Sequence, residues 1–289
     1  MIENTNKLET ALEDKATGNH KPPLWGEVWK GLLKLVLAMM PFILFGLIYD
    51  SMRYYPNYLF GDIDIQGIYE TEKAWFGIGD GAARLTPNEW FTLHAKPALD
   101  LLAGIFYLCW VPLPVAFGFY LFFSGRRQQA FRFAAAFLFV NLIGFIGYYI
   151  HPAAPPWYVE KFGFEPIFNT GGDTAGLGRF DALVGFPVFQ SIYVNNANVF
   201  AAVPSLHAAY CPIACFYALR TRQLPVWSIV LAIFSVGIWW TAIYSGHHYT
   251  IDVLLGILTT IVGLALFEGF VVKLPWCRKF NRWYSHFYS

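Results

Sequence analysis

Apolar residues gather in six long blocks, near 31–49, 101–123, 131–150, 199–219, 225–244 and 251–272, separated by segments rich in polar residues, glycine and proline. Each block approaches the roughly twenty residues that an α-helix, rising about 1.5 Å per residue, needs to cross a hydrocarbon core about 30 Å thick. The pattern predicts an all-α polytopic membrane protein with six transmembrane helices. Pro112 and Pro114 in the second block, and Pro212 in the fourth, remove backbone donors and predict bends. In the polar stretch between the first two blocks, Thr86-Pro87-Asn88-Glu89 reads as a helix start, with a capping hydroxyl, proline in the first turn and an acid beside it. This predicts an interfacial helix in an outer loop. A second long polar stretch separates the third and fourth blocks. With no internal repeat, the chain divides into an amino-terminal cytosolic arm (1–30), a single six-helix transmembrane domain (31–273) and a basic cytosolic tail (274–289).

Composition agrees with that reading: 56% of the 289 residues are hydrophobic, 19% aromatic and 13% charged, where a soluble domain carries about 25% charged residues. A net charge of +1 gives no reason to expect a nucleic-acid partner. The arm lacks the apolar core and small-residue cleavage site of a signal peptide and is expected to remain in the mature chain. Cys109, Cys211, Cys215 and Cys277 lie in apolar runs or the basic tail and read as buried thiols, with neither a disulfide framework nor a metal site expected. Basic residues fix the orientation. Lys7, Lys15, Lys21, Lys30 and Lys34, then Arg126, Arg127 and Arg132, then Arg220 and Arg222, then Lys273, Arg278, Lys279 and Arg282 fall on alternate sides of successive blocks. Both termini are therefore expected in the cytoplasm. The two long loops and the turn Ser245-Gly246-His247-His248 face the opposite side, periplasmic or lumenal; the short chain points to a bacterial cytoplasmic membrane.

That topology gathers the chemistry. His151, His207, His248 and Asp252 all come to one membrane face, where uncompensated charge is costly. His248 and Asp252 stand four residues apart at the start of the sixth helix, so the carboxylate can take the proton of one imidazole nitrogen and leave the other as a nucleophile. His207, from another helix, suits a general acid and then a base, because histidine titrates near neutrality. Pro204 and Ser205 open the fourth helix, whose free N–H groups, with the Ser205 hydroxyl, offer an anion pocket. The alternative, a polar cluster tying helix ends together, leaves the same residues without chemistry. His20, His94 and His286 read as interfacial hydrogen-bonding residues. His151, before Pro152, is balanced between lining the site and ending its helix.

The segments Pro204-Ser205-Leu206-His207 and His248 to Asp252 (HxxxD) resemble the type 2 phosphatidic acid phosphatase superfamily, whose motifs are PSGH and SRxxxxxHxxxD. The likeness is greatest to the fungal inositol phosphorylceramide synthases, the targets of aureobasidin A. Their PxxPPWY-like, GDxAGLxRxDxLxG-like, FPSLH and HHYxxD segments have counterparts at 152–158, 172–185, 203–207 and 247–252, in the same order, over about a third of the chain. The resemblance implies a helical bundle of that superfamily and a metal-independent reaction with no cofactor. His248 would attack a lipid phosphodiester to give a phosphohistidine, Asp252 would hold the ring, and His207 would protonate the leaving alkoxide. The partners would be membrane lipids, phosphatidylinositol as donor and a ceramide as acceptor. Oligomeric state is left open.

The superfamily places an arginine six residues before its nucleophile, where this chain has Ala242, and the segment 151–158 carries no basic residue. The same lack marks the synthase branch, so transfer is favoured over hydrolysis. Arg179 is then the expected phosphate ligand, since a guanidinium grips phosphate oxygens in pairs; a surface pair with Asp181 or Asp173 is the alternative. Asp173, Asp181 and Tyr249 are candidates for the inositol hydroxyls, with His247, Ser205 and His151 as further substrate contacts. Trp157 and Tyr158 line the lipid access or belong to the aromatic belt. A lipid phosphatase remains the second reading and a transporter or proton relay the third. Against a relay, no ionisable residue sits mid-span in the last three helices.

Overall fold

The computed structural model describes residues 24–221 and 225–288. The arm's first 23 residues, with His20, and Arg222 lie outside the described residues. The described residues form thirteen α-helices in order: α1 (Leu24–Ser51), α2 (Gln66–Phe76), α3 (Pro87–Leu93), α4 (Pro97–Leu108), α5 (Pro112–Phe123), α6 (Arg127–Ile150), α7 (Pro156–Phe162), α8 (Gly178–Val184), α9 (Val188–Tyr193), α10 (His207–Arg220), α11 (Pro225–Tyr244), α12 (Thr250–Gly269) and α13 (Pro275–Tyr288). Among the described residues, extended pairing is limited to isolated bridges such as Ala153 with Ala201. Contacts divide the chain into two units, residues 1–37 and residues 38–289.

Four helices are long and apolar enough to cross a membrane, at Val28–Tyr54, Arg127–Ile150, Pro225–Tyr244 and Thr250–Lys273. The pair α4 and α5, bent by 41° at its junction, makes a fifth if it is one span. The protein is a multi-pass membrane protein with four or five such spans among the described residues, against the six expected. The bend falls where Pro112 and Pro114 predict one, because neither proline can donate back into the preceding turn. The fourth block differs more. Hydropathy runs unbroken from 199, yet the helix begins only at His207 and has 14 residues, about 21 Å at 1.5 Å per residue. Residues 199–206 instead form an irregular lead-in that ends in Pro204 and Ser205.

α10 sits at the centre, packed on α6, α11 and α12. Where lipid is as apolar as any side chain, helices associate by close packing of small residues. Its buried face fits that rule, carrying Ala208, Ala209, Cys211, Ala214 and Ala218. From α12, Gly256 allows the closest approach: a Cβ there would collide with the Ser205 carbonyl. Residue 38 onward of α1 adds an aromatic seam, with Phe42 4.8 Å from Phe137 and Phe45 5.6 Å from Tyr210 between ring centroids. At the Arg220 end of α10, Glu268 of α12 accepts from Arg132 of α6 (2.9 Å), Arg220 (3.0 Å) and Tyr217. This ties three helices at the end remote from His207. The predicted cap on α3 is present in both directions, Glu89 N–H donating to Thr86 Oγ1 (3.3 Å) and Thr86 N–H to Glu89 Oε2 (2.7 Å).

Candidate active site

The site is built on the turn between α11 and α12. Gly246 turns the chain at φ 73°, a left-handed conformation that favours glycine. The Ala242 carbonyl then accepts the N–H groups of both His247 (3.1 Å) and His248 (3.0 Å). Segments remote in sequence grip the rest of this turn. The Asn88 amide donates to the carbonyls of Ile243 (2.8 Å) and His248 (2.9 Å), Gly176 N–H to Ser245 O (2.8 Å) and Trp157 N–H to Gly246 O (3.0 Å). A helix start leaves several N–H groups without helical partners; at α12 they meet carboxylates. Asp252 Oδ2 accepts from Tyr249 N–H (2.9 Å), and buried Glu72 of α2 accepts from Thr250 (2.8 Å) and Ile251 (3.1 Å).

On this frame the three chemical groups stand in a row. His207 Nδ1 lies 2.8 Å from His248 Nε2, and His248 Nδ1 lies 3.4 Å from Asp252 Oδ2. The second contact is long for a hydrogen bond, as catalytic contacts often are before substrate arrives. Asp252 is wholly buried and its backbone carbonyl accepts from Ser205 N–H (2.9 Å), which locks the lead-in of α10 to α12. Burial pushes the His248 imidazole down to about 3, against a smaller opposing pull from the Ala202 carbonyl. The ring is therefore neutral at pH 7: with Nδ1–H turned to Asp252, Nε2 carries the lone pair. His247 is also held well below its ordinary value by burial, then by the neighbouring imidazoles of His207 and His248.

His207, His247 and His248 form one wall of a cavity of about 200 Å³, small beside the roughly 300–1,000 Å³ of pockets that enclose a drug-sized ligand. Trp110, Tyr148, Trp157 and Tyr210 supply an aromatic side, Asn195, Asn196 and Asn198 a polar one. Trp110 stands edge-on to His207 at 4.3 Å and Tyr193 lies 4.5 Å from His247, so both imidazoles are wedged by rings. Among the described residues no cluster of three His, Cys, Asp or Glu side chains is arranged to hold a metal ion.

Several expected substrate contacts are engaged elsewhere. Arg179 pairs neither with Asp181 nor with Asp173. Its Nε donates to buried Asp100 (2.7 Å), which also accepts from Tyr244 (2.8 Å), so the guanidinium sits over the Tyr244 ring and outside the cavity wall. Asp181 caps α9, accepting from Phe189 N–H (3.0 Å) and Gln190 N–H (2.9 Å). Asp173 binds Ala175 N–H (2.7 Å) and Lys161. His151 turns to Asp64 (3.2 Å). Ser205 is wholly buried behind the wall, and Tyr249 points to a second cavity with Thr86, Asn88 and Glu89. Of the seven expected contacts, only His247 lines the cavity. Trp157 lines it too, whereas Tyr158 is a core residue whose hydroxyl donates to Glu165 O (2.8 Å).

A family model described as PAP2 superfamily matches residues 80–266, a stretch that contains the whole histidine row. The chain belongs to the PAP2 superfamily. It is 54% identical over 258 residues to a protein of Bacteroides thetaiotaomicron named phosphoinositol dihydroceramide synthase, covering 88% of this chain and 83% of that one. It is 31% identical to the inositol phosphorylceramide synthase of Candida albicans, over 59% of this chain and 36% of the relative. To the Schizosaccharomyces pombe inositol phosphorylceramide synthase catalytic subunit it is 28% identical, over 65% and 45%. The chain thus spans less than half the length of these fungal relatives. No solved structure matches it. In this member of the superfamily, Ala242 serves through its carbonyl, and the residues that hold the turn are Asn88, Asp100 and Glu72. The sequence did not single these out, because each acts across a gap of more than a hundred residues that local spacing cannot reveal.

Proposed function

We propose that the protein transfers phosphoinositol from phosphatidylinositol to a ceramide, with His248 as the covalent carrier. The observation that carries this reading is the row of His207, His248 and Asp252 on a partly open cavity; the names of the relatives, above all the Bacteroides synthase, support the choice of lipids. His248 Nε2 attacks phosphorus, and the P–O bond to diacylglycerol breaks. The departing alkoxide takes a proton from protonated His207, a state the incoming phosphodiester anion favours. In the second half His207 takes the proton of the ceramide hydroxyl, whose oxygen attacks phosphorus as the N–P bond breaks. Phosphorus must enter between two nitrogens now 2.8 Å apart, so donor binding separates the imidazoles.

The reading extends to the membrane. With the lead-in of α10 as part of a crossing, six spans place both termini in the cytoplasm and the cavity on the periplasmic face of a bacterial inner membrane. The basic ends support this orientation. Arg179, with Nη2 buried and unpaired beside the turn, is retained as a phosphate contact reached only if donor binding draws it from Asp100.

The test uses purified protein and labelled phosphatidylinositol, with and without ceramide, in EDTA. Inositol phosphorylceramide is expected with ceramide present, and the His248→Ala variant should lose at least about a thousandfold in rate, some 4 kcal/mol. Release of inositol phosphate at an equal rate without ceramide would mean hydrolysis instead, and loss of all activity in EDTA would remove the metal-independent mechanism.

A further inference from the structure

The catalytic row accounts for phosphorus but leaves the Asn195–Asn198 side of the cavity unused. This segment separates two spaces. One is the histidine cavity; the other, about 190 Å³, is lined by Arg53, Tyr58, Asn169 and Thr170, and Asn196 and Asn198 face both. The asparagines are oriented by their own hydrogen bonds. Asn198 is 8% exposed and its Oδ1 accepts from Phe200 N–H (3.2 Å), which fixes the amide with its NH2 on the other side, where no protein group accepts from it. Asn196 Oδ1 accepts from the Tyr49 hydroxyl (2.7 Å) and Asn198 N–H (3.2 Å), turning its amide nitrogen away from both. Across the same cavity His247 binds Ser245 Oγ through Nδ1 (2.9 Å), and its buried Nε2 has no protein partner. A buried polar atom without a partner is costly, so two of them on residues that line one cavity point to a ligand there that satisfies them.

We infer that Asn198, with Asn196 and His247, is the subsite that selects a polyhydroxylated head group, gripping hydroxyls of the inositol ring while phosphorus sits at His248. The inference rests on the transferase reading and assigns the donor selectivity that reading leaves open. A neutral wall of amide and imidazole groups complements hydroxyls, which both donate and accept. It offers no carboxylate for an ammonium head group. The aromatic side of the cavity is the competing feature, since rings attract quaternary ammonium groups, and the test includes that case.

The experiment measures inhibition of transfer by soluble head groups, using full-length protein in detergent with phosphatidylinositol and ceramide. For the wild type, myo-inositol 1-phosphate should inhibit at about tenfold lower concentration than glycerol 3-phosphate or phosphocholine, the value of one or two added hydrogen bonds. Asn198→Asp keeps the acceptor for Phe200 N–H and removes the donor. It should erase most of the preference for inositol 1-phosphate over glycerol 3-phosphate, raise KM for phosphatidylinositol and leave kcat within about threefold. A bare charge effect would weaken both phosphates equally and leave their ratio intact, which would overturn the inference, as would phosphocholine proving the best inhibitor. If Asn198→Asp does not fold, the wild-type ranking decides alone: inositol 1-phosphate no better than glycerol 3-phosphate overturns it. Failure of the transferase reading is distinct, because the wild type would then make no phosphosphingolipid at all.

Discussion

The nucleophile role proposed for His248 rests on its surroundings more than on its own chemistry. A free imidazole is half protonated near pH 6.5; buried here, it is held down to about 3 and keeps its lone pair at neutral pH. The same shift links the site to stability. The unfolded chain binds a proton at His248 below about pH 6.5 and the folded chain does not until about pH 3, so this contribution is present above pH 6.5 and lost as the pH falls between those values. His247 acts in the same direction. Thermal unfolding in detergent should therefore move to lower temperature from pH 7 to pH 4, and a His248→Gln variant should show a shallower fall. An equal slope in both would contradict burial as the cause. Arg179 teaches the converse: its chemistry suits phosphate, yet Asp100 holds it at 2.7 Å.

α12 carries the carboxylate of the row and depends on two devices supplied by other segments. Glu72 takes the first two free N–H groups of the helix; burial raises its pKa, partly offset by these hydrogen bonds. Glu72→Ala should cost about 1–2 kcal/mol as a lost cap and lower kcat with little change in KM, because Asp252 sits in the same first turn; unchanged kcat would show that the cap only stabilises. Gly256 is the second device. Gly256→Ala drives a methyl into the Ser205 carbonyl, forcing α10 and α12 apart at the Ser205–Asp252 bond, with an expected cost of about 1–3 kcal/mol. Gly46→Ala, with open space at its Cβ, should be near neutral, and equal effects at the two glycines would refute close approach as the reason. The late start of α10 belongs to this scale as well. A hydropathy block cannot register that the chain around Pro204 and Ser205 is already bound to α12.

Across the whole molecule, one end of the bundle holds the histidines and the other the Glu268 cluster with Arg132 and Arg220. That polarity supports the proposed orientation. With native cysteines replaced by alanine, an impermeant maleimide should label Glu165→Cys in intact spheroplasts and Lys279→Cys only after permeabilisation; labelling of both from one side would contradict it. The histidine row was legible because His248 stands four residues before Asp252 and His207 lies in a recognisable motif, although His248 belongs to the turn and α12 begins only at Thr250. The bend before Pro112 and Pro114 and the α3 cap were legible for similar local reasons. The head-group side was not, since acids and hydroxyls in the outer loops have many structural uses. Asp181 and His151 satisfy helix starts and loop carboxylates, while Asn198, unremarkable in sequence, faces the cavity.

The central claim is that phosphorus passes through His248, and the direct measurement is the mass of the trapped enzyme. Protein mixed with phosphatidylinositol in the absence of ceramide, quenched in base and digested, should yield a peptide containing His248 with one added phosphoinositol group, stable in base, lost in acid and discharged by ceramide before the quench. Rapid transfer with no adduct on that peptide, or an adduct on His207 instead, would contradict the account.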